Sequence, residues 1–331
     1  MSVDIAGYGL CTPLGLSARI TAAEMAAGTT AFVEMNVRDR TGARVRAAEL
    51  ALIPRSASRM DRMLQLAGGA LQDLINQVPV AGWGGRLATL LVLPDHSDVG
   101  PPCEASLLAR AVADMLGTVG VSTAPRTLAL GRSGFFSTLL EAEELLETSQ
   151  ADAVLIGALD SLCDPASLQM LARSNLVLSG ANPDGVLPSE GAGFVVVQRL
   201  SERGGRARVL ACATSQGAPA SEASPAAVGQ ALTEVFLCLG ESGRACRMLS
   251  AQTSARWWSL ELRVAMGRAA RVLPEPFDYL RITETLGDPG AFAGLALSVA
   301  AMEWMADDGS APVLIYGSSD DGLTGGLLLV R

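Results

Sequence analysis

The stretch from Thr127 to Ile156 constrains this chain most. An apolar segment (Thr127–Leu130) runs through the turn Gly131-Arg132-Ser133-Gly134 into a helical pattern from Phe135 to Glu147, then into a second apolar segment, Ala153–Ile156, closed by Gly157. Strand, glycine-rich turn, helix and strand within roughly thirty residues make a βαβ unit with a right-handed crossover. A chain built on such a unit must cover both faces of a sheet.

The remaining segments supply those layers. Val3–Cys11 reads as a buried strand that turns at Thr12-Pro13-Leu14-Gly15, and a helix from Ser17 stops at Gly28. Residues 31–58 are irregular and arginine-rich, with a short hairpin around Thr41-Gly42. Asp61–Val78 places Met63, Leu66, Ala67, Leu71, Leu74 and Ile75 on one helical face. Strand Arg86–Leu93, loop Pro94–Pro102 and helix Glu104–Leu116 lead into the βαβ unit. After it come helix Pro165–Ala172, the turn Asn182–Gly185 and the strand Phe194–Gln198. Beyond the polar bridge Ser201–Arg206 the same grammar repeats in shorter form. Strands are expected at Ala207–Ala213, Arg247–Ser250, Tyr279–Thr283, Val313–Tyr316 and Gly325–Val330, with helices at Ala226–Leu239, Trp258–Ala270 and up to Met305. Nearly continuous apolar strands predict parallel-rich sheets covered on both faces. The expected division is an N-terminal half, 1–203, and a C-terminal half, 204–331.

Composition narrows the chemistry. Of 331 residues, 49% are hydrophobic and 18% charged, enough for a substantial core. Thirty-four acidic against 25 basic residues give a net charge of -9, which argues against a nucleic-acid partner. All the basic residues are arginine, so Schiff-base chemistry and a P-loop lysine are excluded. The single histidine, His96, would have to serve any Ser-His or Cys-His mechanism. Six cysteines without a CxxC pair suggest neither zinc nor disulfides, but buried thiols in a reducing compartment. The run at 188–193 fits neither nucleotide-binding glycine loop. No cofactor and no metal are expected. With no basic-then-apolar leader and no apolar run near membrane-span length, a cytoplasmic location without membrane attachment is expected.

The order of motifs resembles the ketosynthases of the thiolase superfamily. The resemblance rests on Ile5-Ala6-Gly7-Tyr8-Gly9 with Thr12-Pro13-Leu14-Gly15, on Ala151-Asp152 to Asp160, on Leu187-Pro188-Ser189-Glu190-Gly191-Ala192-Gly193, on Gly294, and on the turn from Tyr316 to Gly326. It implies a five-layered αβαβα thiolase-like α/β fold with two pseudo-repeated halves, in a chain several tens of residues shorter than full ketosynthases. The family's nucleophile is a cysteine at a buried helix N-terminus; the resemblance puts Gly131 there. Its acid-base positions fall on Gln252 and Asp288, and its supporting lysine has no counterpart. The implied protein is a pseudoenzyme of the β-ketoacyl synthase type.

Individual residues read modestly. Ser133 stands two residues past the vacated position, but without a base its hydroxyl stays protonated, and a capping role is the plainer reading. Arg132 is a candidate for binding an acid in the old pocket or for a structural salt bridge. His96, in Asp95-His96-Ser97-Asp98, reads as a solvated loop residue, and Asp184, Asp320 and Asp321 as turn residues. Trp257 and Trp258 point about 100° apart on a helix, so they split between core and surface, where an exposed one could anchor a partner.

Three functions follow from the resemblance. The first is a non-catalytic adaptor or chaperone for loading a type VI secretion effector, like short ketosynthase-like proteins encoded near such effectors; its partner would be an effector or a spike component. The second is a chain-length-factor-like subunit paired with an active ketosynthase and its acyl carrier protein. The third is an acyltransferase of altered mechanism with Asp288 or His96 as base. Thr127–Leu130, with Phe135 and Phe136, is apolar enough to pair two copies, so a homodimer is expected.

Overall fold

The computed structural model describes the chain except residues 1–2, 81–82, 84, 96–99, 181, 201–204, 220–221, 223–226, 254, 277 and 309–310, and the side chains of 307 and 308. The first half comprises β1 (Val3–Cys11), α1 (Ala18–Ala26), β2 (Phe32–Arg38), β3 (Arg44–Ala48), α2 (Arg59–Gln77), β4 (Leu87–Leu93), α3 (Ala105–Gly117), β5 (Arg126–Ala129), α4 (Gly134–Glu147), β6 (Ala153–Ser161), α5 (Pro165–Arg173) and β7 (Glu190–Arg199). The second comprises β8 (Ala207–Gln216), α6 (Gln230–Gly240), β9 (Arg247–Ser250), α7 (Arg256–Ala269), β10 (Tyr279–Arg281), α8 (Ala293–Asp308), β11 (Val313–Ser318) and β12 (Leu323–Val330). The hairpin expected around Thr41-Gly42 is β2–β3. The expected boundary between residues 203 and 204, and Ala226 at the expected start of α6, lie outside the described residues.

Ten strands join in the order β10-β9-β11-β12-β8-β1-β7-β6-β4-β5. Read outward from the centre, β1-β7-β6-β4-β5 and β8-β12-β11-β9-β10 repeat one order and one set of directions. The βαβ unit is present as anticipated, with β5 and β6 on either side of β4 and parallel to it. The expectation of parallel-rich sheets needs correction. Every pair from β6 inward to β11 is antiparallel, and only the outer pairs are parallel. The apolar continuity of strands such as β6, buried along its whole length, comes from cover on both faces and carries no information on direction.

Helices α2 and α3 cover one outer face, while α6 and α7 cover the other. Between the two strand groups lie α4 and α8, which touch strands of both. This gives the five layers. The middle helix α8 is buried nearly all round from Ala293 to Met302, as its uniformly apolar sequence requires. Phe135 and Phe136 of α4 are fully buried and packed edge to face. They therefore cannot form part of a pairing surface, a second correction; the open edge there is β5 itself, which among the described strands pairs with β4 alone.

Two buried ion pairs fix α2 to the first half. Ser58 caps the helix, accepting from the Asp61 amide, and Arg59 and Arg62 follow in its first turn. Cations at the positive end of a helix are unfavourable without partners. Here Arg59 donates to Asp160 at 2.8 Å, and Arg62 makes a two-pronged pair with Glu190 at 2.6 Å on each prong, fully excluded from solvent. Glu190 also accepts from Ser161 Oγ and the Leu50 amide, so one carboxylate ties together α2, β6, β7 and the segment after β3. Replacing Glu190 by Gln leaves Arg62 buried without its counter-charge. A loss of about 3–5 kcal/mol is expected from urea unfolding, with a smaller loss for the double variant Arg62→Met/Glu190→Leu.

Candidate functional site

Gly131 opens a short 3-10 turn, Gly131–Ser133, that runs directly into α4. It is buried, with φ at +62°, a conformation that favours glycine. A Cβ built there would lie 2.4 Å from Asp95 Oδ2 and 3.2 Å from Ser319 Oγ. The volume a side chain would need is therefore filled by the Asp95 carboxylate, delivered by the loop after β4.

The next residue carries the charge of the site. Arg132 grips Asp288 with two prongs, at 2.6 and 3.1 Å, and reaches Asp320 at 2.6 Å. Burial works against its charge, but Asp288 and then Asp320 outweigh it and hold the guanidinium pKa well above its ordinary value. Asp288 also accepts from the Gly290 amide, so both its oxygens are engaged. Asp320 is thus more than a turn residue. Ser133 is fully buried; its hydroxyl lies 2.8 Å from both the Gly317 and Leu323 carbonyls and shares its single proton between them, while its amide donates to Ser319 Oγ. It pins α4 to the β11–β12 turn and is not presented to a ligand.

Gln252 lies apart from this network, buried behind α7. Its amide nitrogen donates to the Trp258 carbonyl at 2.9 Å, and its oxygen accepts from Tyr279 at 3.4 Å. Trp258 is buried and Trp257 half-buried, so the anticipated split is present in weakened form. One turn beyond Trp258 stands Glu261, a residue the sequence reading passed over. Its signal was there: Trp258, Glu261, Leu262, Ala265 and Ala269 form the buried stripe of α7, with a carboxyl among them. Burial pushes its pKa up to about 7, against hydrogen bonds from Ser318 and Gln252. Arg59 and Asp160 were likewise missed, and Asp160 receives the Ala291 amide at the foot of α8. His96 lies outside the described residues.

Little open volume remains over Gly131. The cavity bounded by Pro94, Asp95, Gly131, Arg132 and Asp160 measures about 40 Å³, room for a few water molecules. It adjoins a cleft of about 300 Å³ whose walls include Leu162, Leu171, Val186 and Trp258, and at which Arg132, Asp288 and Asp320 also stand. Among the described residues no group of three or more His, Cys, Asp or Glu could hold a metal. No helix among them is long and apolar enough to cross a membrane. The expectation of buried thiols holds only for Cys11 and Cys163, whose pKa values burial raises, that of Cys11 to about 12; Cys103 and Cys212 are half-buried, and Cys238 and Cys246 are exposed.

Comparison with solved structures gives the class of fold: the chain matches the thiolase-like fold of ketosynthases. Among them, the ishigamide ketosynthase/chain length factor is 18% identical with a TM-score of 0.75, covering 99% of both chains. The oxazolomycin ketosynthase domain OzmH KS7 of Streptomyces albus JA3453 is 13% identical with a TM-score of 0.79, over all of this chain and 75% of that one. A type II polyketide ketosynthase complex with its acyl-carrier protein, AntDE:AntF, gives 15% identity and 0.76 over 100% and 99%. No family model and no curated protein matches the sequence.

Two outcomes are expected. Gly131→Ala forces a Cβ onto Asp95 at a positive φ, and should cost about 2 kcal/mol or more in denaturant unfolding. Glu261 has a folded pKa near 7 against an ordinary 4.5, so its contribution to stability is fullest below 4.5 and is lost as pH rises to about 7. Glu261→Gln should abolish that fall, worth about 3 kcal/mol, when unfolding curves at acid and neutral pH are compared.

Proposed function

We propose that this chain is a non-catalytic, chain-length-factor-like subunit that pairs with an active ketosynthase served by an acyl carrier protein. The observation that carries this reading is the state of the position assigned to the nucleophile. Gly131 offers no side chain, Asp95 fills the space one would need, and Arg132 next to it is spent on two carboxylates. Gln252 turns its amide to the Trp258 carbonyl, and Asp288 is held by Arg132 and the Gly290 amide. Neither is disposed to move a proton at Gly131. An acyltransferase using Asp288 as base is disfavoured for the same reason.

Similarity in fold over almost the full length of a protein described as a ketosynthase/chain length factor supports the subunit reading. The open edge of β5 offers a strand for pairing, either with a second copy or with a ketosynthase. The adaptor reading, in which the partner is a type VI secretion effector or spike component, draws on motif resemblance alone.

Intact-mass measurement after incubation with acyl-CoA or acyl carrier protein thioesters should show no covalent adduct. Gly131→Cys should still fail to decarboxylate malonyl thioesters above the parent's background, because the thiol lacks an acid-base partner and faces Asp95. A stoichiometric adduct or restored decarboxylation would overturn the non-catalytic reading. Capture of the tagged chain from its host should bring down a ketosynthase; recovery of a secretion effector in its place would make the adaptor reading correct.

A further inference from the structure

The cleft of about 300 Å³ beside the Arg132 network has a charge balance that the fold alone does not require. Its walls are mostly apolar, with Asn182 and Thr253 among them: Leu162, Leu171 and Val186 come from the α5 region, and Trp258 from the start of α7. Its deepest charged members are Arg132 and Asp288, 13% and 2% exposed, and they neutralise each other. Around them, nearer solvent, stand Asp320 and Asp184, which are 49% and 43% exposed.

Arg132 spends its remaining prong on Asp320 through Oδ2. Asp184 meets Arg256 through Oδ1 at 3.4 Å, a loose contact to a side chain 84% exposed. Three carboxylates therefore face two guanidiniums, and one of the two stands almost wholly in water, where its pairing is weak. The outward-facing side of the cleft is left negative. A phosphate- or carboxylate-bearing ligand entering it would meet Asp184 and Asp320 at the rim, while Arg132, the cation of the described lining, is already committed to Asp288 and Asp320.

We propose that this cleft binds a small aliphatic amine or guanidine. Its alkyl body would lie against Leu171, Leu176, Val186 and Trp258, and its cationic head between Asp184 and Asp320. The volume lies at the small end for ligand pockets, which suits a molecule of this size. An aliphatic wall ending in unbalanced carboxylates rewards apolar burial and charge pairing together. The inference concerns the cleft alone and does not depend on the subunit pairing proposed above.

The probe is n-butylguanidinium, titrated calorimetrically into the full chain at constant ionic strength, with hexanoate and butyl phosphate as anionic counterparts. Saturable single-site binding is expected, with a Kd of about 1 mM, and neither anion should bind as tightly. Asp184→Asn and Asp320→Asn should each weaken the cation about fivefold. Leu176→Lys, at a half-exposed wall position, places a tethered ammonium in the cleft and should abolish binding without touching the Arg132 network. Absence of saturable binding, an anion binding as tightly as the cation, or binding left unchanged by Leu176→Lys and both Asn variants would each overturn the proposal.

Discussion

One arginine sets the terms at the centre of this molecule. Arg132 enters at the foot of α4, from the first half of the chain, and finds its counter-charges on Asp288 and Asp320 from the second. A buried guanidinium without those carboxylates would be costly. The loop before α8 and the turn between β11 and β12 must therefore be where they are for α4 to begin where it does. Ser133 repeats the dependence with neutral groups, sharing its one hydroxyl proton between carbonyls on either side of that same turn. The helix start, the α8 entry and the β11–β12 turn form one unit, and a substitution in any of them is felt by the others.

The same interlock explains why little cavity is left. Where a helix start is to receive a ligand, its first amides and neighbouring cations need to be free. Here the Ser133 amide goes to Ser319, the Ala291 amide to Asp160, and the guanidinium to carboxylates of the protein itself. The binding groups that a helix start can offer have been turned inward and converted into structural joints. What remains open lies to one side, where α5 and α7 face each other.

Much of the architecture was legible because local signals agreed. The βαβ unit, the amphipathic α2 and the stop at Gly28 follow from spacing and turn chemistry, and Arg247–Ser250 was located to the residue. Strand direction was not legible, since a strand covered on both faces reads as apolar whichever way it runs. The fate of Phe135 and Phe136 was misjudged because an apolar helix start looks alike beneath a second layer or at an interface. Gly131, Asp288 and Gln252 were singled out only through resemblance, and Gln252 lies apart from the other two. The pairing of Arg132 was not legible, because it finds Asp288 156 residues away and Asp320 188 residues away, and no local pattern marks such a pair. Glu261 was the exception, a carboxyl on an apolar stripe that periodicity could have exposed.

The place of β1 has a consequence for how the sheet closes. The strand at its middle, Val3–Cys11, is flanked by β7 on one side and β8 on the other. Its partners there, Ala192–Arg199 and Ala207–Val209, lie far along the chain, with all of α1 to α5 in between. Joining such distant segments means closing a long loop before any ladder hydrogen bond is gained. The two halves of the sheet therefore meet through its least local contacts, which makes that seam the slow step in folding, and until it closes an apolar central strand stays open to pairing with other chains.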